Sequence, residues 1–151
     1  MKKKSAIIIG TVIGVIICCG FGWWLLPVRL LGGIAAEEIA AIEVINGNNG
    51  DQFVIADAED ISRIVNGIRQ VNFRKKGFGS DIDYWYQLTF IEGNGEKITS
   101  IRIRNTRYAQ KDITGKQVLY YYCDGELDEV GSYLESLEAA LFPDYKRDPD
   151  R

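Results

Sequence analysis

The sequence predicts an α+β fold: an N-terminal transmembrane helix, then one domain with a largely antiparallel sheet, comprising a β-hairpin, a helix, four to five strands and a C-terminal helix. Three observations carry this expectation. Residues 6–26, AIIIGTVIGVIICCGFGWWLL, hold no charge. Beyond them, short runs rich in β-formers are separated by Asn- and Gly-rich turns, which is the signature of hairpins. Two further stretches, 57–70 and 127–142, repeat apolar residues every three or four positions, the period of an amphipathic helix.

At about 1.5 Å per helical residue the uncharged stretch reaches roughly 31 Å, matching the roughly 30 Å hydrocarbon thickness of a bilayer. The chain therefore divides into a basic cytoplasmic segment at 1–5, a signal anchor at 6–26, a spacer at 27–36, an extracytoplasmic domain at 37–142 and a polar tail at 143–151. Lys2, Lys3 and Lys4 precede the span and only Arg29 follows it closely. Positive charge stays on the cytoplasmic side, so the N-terminus faces in and the domain faces out at the cell membrane. Trp23 and Trp24 suit the headgroup layer, and Pro27 ends the helix.

Two rivals share this segment. Gly33-Ile34-Ala35 resembles a signal-peptide cleavage site, but the apolar run exceeds the usual 7 to 15 residues of such a signal, which favours the anchor. Lipidation at Cys18 or Cys19 is disfavoured, because Ile17 precedes the pair and the apolar run continues past it. Within the span, Gly10, Gly14, Cys18 and Gly22 recur every fourth residue and form one narrow face of small side chains. Such a face admits a second helix, which would make a homodimer or a membrane-protein partner; the plainer account is that glycine is common in membrane helices.

Four of the 18 basic residues and none of the 21 acids lie in residues 1–36, so residues 37–151 carry 14 bases and a net charge of −7. That balance argues against a nucleic-acid partner. There is no histidine, which removes Ser-His and Cys-His nucleophile pairs, imidazole zinc sites and the usual near-neutral base. Cys123 is the sole cysteine beyond the anchor, so no disulfide forms within the domain. The expectation is a protein that is not an enzyme, with no catalytic residues, no metal ligands and no cofactor.

Along the domain, IAAIEVIN at 39–46 and the run at 52–55 flank the turn Asn46-Gly47-Asn48-Asn49-Gly50-Asp51 and read as a hairpin. The turn's oxygens suggest calcium only superficially, since calcium loops carry more carboxylates. In 57–70, Asp57 caps a helix whose Ile61, Ile64, Val65 and Ile68 share one face. Residues 71–76 read as a strand and 77–83, GFGSDID, as a flexible loop in which Phe78 sits on a mobile tip beside Ser80, Asp81 and Asp83. The two acids are the one conceivable site for carboxylate chemistry; a solvated turn is the simpler account.

In 84–91, Tyr86, Leu88 and Phe90 face the helices while Trp85, Gln87, Thr89 and Ile91 face away. The turn at 92–96 leads to a return strand at 97–105, with Ile101 and Ile103 on one side and Arg102 and Arg104 on the other. Strands at 108–113 and 117–123 follow, with Cys123 a small core residue. The last helix presents Leu127, Val130, Leu134, Leu137 and Leu141, with acids at its N-terminus.

If the second sheet face is open, Arg102 and Arg104, joined by Arg107, Lys97, Trp85 and Gln87, form a basic and aromatic patch, and Phe78 is a further candidate contact. Guanidinium forks bind carboxylates and phosphates, so an anionic envelope polymer or an acidic peptide is the implied partner; pairing of these arginines with acids such as Asp112 is the plainer alternative. The lysine-led span, IAAIEVINGNNG, DAEDISRIVNGI, YWYQLTFIEGNGEKI and the leucine-rich last helix together resemble small uncharacterised anchored or lipidated ectodomains of Gram-positive bacteria. The likeness covers most of 37–142 and implies a bacterial envelope location, with no catalytic residues to carry over. The function expected is a membrane-anchored, non-catalytic binding module; an inhibitor or immunity-type protein with one tight target is the alternative, and a carboxylate-dependent enzyme ranks last.

Overall fold

The computed structural model describes residues 2–79, 84–112, 118–123 and 127–143. Helix α1 (Lys2–Leu25) leads into a short 3-10 turn (Ala36–Glu38), strands β1 (Ile39–Asn46) and β2 (Gln52–Ile55), helix α2 (Ala58–Gln70), strands β3 (Arg74–Gly79), β4 (Tyr86–Glu92), β5 (Lys97–Asn105), β6 (Tyr108–Asp112) and β7 (Val118–Tyr122), and helix α3 (Asp128–Leu141). The strands form one antiparallel sheet in the order β2-β1-β4-β5-β6-β7-β3. The domain is thus α+β as expected. Its seven strands differ from the looser count in the sequence reading, and the order places β3, third in the chain, at the edge beside β7.

Alternation decides which face is covered. Ile42 and Val44 of β1, Tyr86, Leu88 and Phe90 of β4, and Ile101 and Ile103 of β5 are buried, and the registers Val44↔Leu88 and Leu88↔Ile101 set them on one side. Against this side lies α2, capped by the Asp57 side chain on the amides of Glu59 and Asp60 and burying the expected Ile61, Ile64, Val65 and Ile68. Helix α3 buries Val130, Gly131, Leu134 and Glu138. Leu127 is buried just before it, while Leu141, expected on the apolar face, is 56% exposed. The buried face winds toward Glu138 and leaves Leu141 outside.

Three sequence expectations change. Residues 27–36 are not a loose spacer: Leu30 and Leu31 are core residues, and Val28 exchanges both backbone hydrogen bonds with Phe73 at 2.7 and 3.0 Å. Gly77, Phe78 and Gly79 are not loop but strand, because β3 begins later than expected and pairs with β7 from Arg74↔Tyr122 to Gly79↔Val118. Finally, among the described residues no helix is long and apolar enough to cross a membrane, so the expected transmembrane helix is not found there. Side chains are described from Ile9 onward, and the expected span of 6–26 starts ahead of them.

Candidate functional site

The face of the sheet away from the helices carries the patch expected from sequence, in altered form. Gln87, Arg102, Gln110 and Tyr120 lie side by side across β4, β5, β6 and β7, as the registers Gln87↔Arg102, Arg102↔Gln110 and Gln110↔Tyr120 require. Arg102 donates from Nε to Gln87 Oε1 at 2.7 Å, and its guanidinium lies 5.6 Å from the ring centre of Tyr84. Gln110, 1% exposed, has no hydrogen-bond partner among the described residues for either side-chain oxygen or nitrogen.

Other members of the expected patch are elsewhere. Arg104 and Arg107 are exposed on β5 and the following turn, with the Arg107 amide donating to Asn105 Oδ1. Lys97 is exposed at the far end of β5. Trp85 leaves the patch altogether: a methyl group added at Gly131 of α3 would lie 2.6 Å from its ring. The residue precedes β4, so strand alternation does not govern it. Its indole fills the space that the missing Gly131 side chain opens. Phe78 is also remote, on the edge strand, with its ring 5.9 Å from that of Trp24. Asp81 and Asp83 lie outside the described residues, as does the side chain of Asp112.

Chemistry-bearing side chains gather in two further places. Glu138 is 8% exposed and accepts hydrogen bonds from Asn46 Nδ2 at 2.7 and 2.9 Å, from Asn49 Nδ2 at 3.0 Å and from the Tyr86 hydroxyl at 2.7 Å. In the same turn the Asn46 and Asn49 side-chain oxygens accept from the amides of Asn48 and Asp51. Asn49 also donates from Nδ2 to Asp51 Oδ2 at 2.8 Å, so the side-chain oxygens of Asn46, Asn49 and Asp51 take part in closing the turn, and Glu138 fastens it to α3. Among the described residues the donors to this carboxylate are the neutral Asn46, Asn49 and Tyr86, which fits a structural staple. Between α2 and α3 a groove of about 510 Å³ is lined by Arg63, Gly67, Glu129, Ser132 and Ser136 among others. Three of its polar side chains have partners within the protein: Arg63 stacks 4.0 Å over the Tyr133 ring, Tyr133 donates to Asp60, and Ser136 donates to the Tyr133 carbonyl at 2.7 Å. Among the described residues no three Cys, Asp or Glu side chains converge as a metal site would require.

Compared with protein-family models, curated proteins and solved structures, the chain matches none. Geometry alone therefore ranks the sites, and the face around Arg102 is the one with both a cation and an unmet hydrogen-bonding group. The sequence pointed to Arg102 by strand alternation. Gln110 it passed over, because a glutamine in YAQKD carries no sign of being buried. Glu138 was missed as well, although it stands one helical turn beyond Leu134 and so within the buried stripe.

Gly10, Gly14 and Gly22 would each accept a methyl group without meeting any atom within 4 Å, and Cys18 is exposed. The small-residue face of α1 thus lies against no described part of this chain.

Proposed function

We propose that the chain is a single-span, membrane-anchored binding module without catalytic activity, its N-terminus cytoplasmic and its domain outside the cell membrane. One observation carries the reading. The residues directly after α1 belong to the domain's core, with Leu31 fully buried, Leu30 4% exposed and Val28 bridged to Phe73. Cleavage after Ala35 would strip out two core leucines, each contributing roughly 1.5–3 kcal/mol by its burial. A helix joined to the domain through its core is retained with it, which favours an anchor over a removable signal. Intact-mass analysis of the protein recovered from membranes tests this: a chain that still contains residues 1–35 supports it, and a chain beginning near Ala36 overturns it. Protease added to intact cells is expected to digest residues 37–151; digestion only after lysis would reverse the topology.

On this reading the sheet face around Arg102 is the binding surface, and its partner is an anionic envelope polymer or an acidic peptide. Arg102, half-buried and oriented by Gln87, meets carboxylate or phosphate oxygens. Exposed Arg104 extends the positive charge along β5. Replacing Arg102 and Arg104 with Ser should weaken retention on an immobilised polyanion; equal retention of variant and wild type would rule the surface out. The small-residue face of α1 stays available to a second span, for which Gly14→Ile should abolish self-association in a membrane reporter assay.

A further inference from the structure

The end of α1 and the edge strand β3 meet in a way that neither the anchor nor the sheet requires. Lys75 reaches from β3 to the last turn of the helix, donating from Nζ to the Trp23 carbonyl at 3.3 Å and lying 4.0 Å from the ring centre of Trp23. A cation there satisfies one of the carbonyls that a helix leaves unpaired at its C-terminus. Three residues on, Phe78 sets its ring 5.9 Å from Trp24. Lys75 and Phe78 point to the same side although their spacing is odd. The cause is the bulge between Lys75 and Gly77, where Gly77 takes φ +153°. The bulge thus turns the strand tip toward the helix.

The edge produced is of mixed character. Phe78 is 65% exposed, as are Phe21, Trp23, Leu25 and Leu26 of the adjoining helix end at 57–69%. Arg74 and Lys76, both exposed, leave from the other face of the edge strand, Arg74 opposite Tyr122 and the Lys76 ammonium 5.9 Å from the Tyr122 ring centre, so the strand edge carries rings on one side and cations on the other. They stand out against a segment, residues 37–151, whose net charge is −7. Lysine on an edge strand ordinarily blocks pairing with another sheet. That role needs a charge alone; it does not explain an exposed phenylalanine held between two glycines against a tryptophan. Aromatic rings at headgroup depth with cations beside them are what a bilayer surface selects.

We propose that the β3 edge, Arg74–Gly79, is a second membrane contact, with Phe78 seated at the headgroup boundary and Arg74 and Lys76 on the phosphates of anionic phospholipids. The inference rests on the reading of α1 as a retained span, which sets Trp24, and so Phe78, at the depth of the bilayer surface. It also goes further, since a span alone leaves the strand tip in water. Each basic side chain near an anionic surface raises local affinity about five-fold.

The test uses the full chain with a photoreactive benzoylphenylalanine in place of Phe78, reconstituted in vesicles of equal phosphatidylcholine and phosphatidylglycerol. Irradiation should give lipid adducts enriched several-fold in phosphatidylglycerol. Arg74→Ser with Lys76→Ser should lower that ratio toward one while adducts persist. The same label at Val54, exposed on the opposite edge strand β2, should give none. Absence of lipid adducts at position 78, or a wild-type ratio of one, overturns the proposal. Alkaline carbonate extraction separates the two readings: a chain that stays in the membrane without adducts at 78 defeats this contact alone, whereas a chain that is released defeats the anchor and with it this contact.

Discussion

At the scale of single residues, Glu138 is the side chain on which most depends. It accepts from Asn46, Asn49 and Tyr86 inside the protein, and bonds to a charged acceptor contribute about 1.5–3 kcal/mol each. Glu138→Ala leaves those donors unpaired and should cost about 3 kcal/mol or more in denaturant unfolding of the detergent-solubilised chain. Glu138→Gln should recover part of the loss, since its oxygen still accepts while its amide faces other donors. Tyr133 offers a second check. Its hydrogen bond to Asp60, with smaller help from burial and from the Asp60 charge, holds the phenol above its usual pKa of 10.0. The folded protein therefore keeps this proton where the unfolded chain loses it. The stabilisation is complete below the unfolded value and is lost as pH rises through the raised one. Phenolate absorbance during alkaline titration should show one tyrosine moving to lower pH in Asp60→Asn. Little at this scale was legible beforehand. Gln110 is an ordinary polar letter in polar surroundings and Glu138 a charged letter on a helix, and the burial of both is completed by segments far away in sequence.

At the scale of elements, legibility followed locality. The apolar period of α2 and the alternation of β4 are properties of consecutive residues, and both read through to the buried faces observed. Residues 71–83 misled because Gly77-Phe78-Gly79 has the composition of a loop, and its pairing partner, β7, lies far along the chain. Trp85 misled because it sits just ahead of its strand, where a side chain follows space and not period. The space in question is Gly131, and it predicts a substitution whose sign is a contest. Gly131→Ala gains about 1 kcal/mol in helix propensity but presses a methyl group to within 2.6 and 2.8 Å of the Trp85 ring. Overpacking of that kind costs about 1–3 kcal/mol, and a six-membered ring held in the core has little freedom to retreat. The variant should therefore be less stable than wild type by thermal melting, and combining it with Trp85→Leu should cost less than the two separate losses added together.

At the scale of the whole molecule, the joint between α1 and the domain is the feature that the sequence concealed. VRLLGGIAA has the look of a linker, yet its leucines are core and its valine bridges to Phe73, just ahead of β3. Leu31→Asp should accordingly do more than loosen a tether: we expect loss of cooperative unfolding in the domain, measured by hydrogen exchange across β4 and β5. The strand order carries a consequence for how the protein is made. Strand β3 pairs only with β7 in the sheet, through Arg74↔Tyr122 and the pairs beyond it, and β3 is also the strand that Val28 and Lys75 tie to the helix end. During synthesis the edge nearest α1 must wait for nearly the last strand to emerge, since long-range pairings form after local ones. A nascent chain halted before residue 118 should hold β1, β2 and β4 together while β3 stays open to protease, so that closing of the sheet is the step that finally stiffens the root of the molecule.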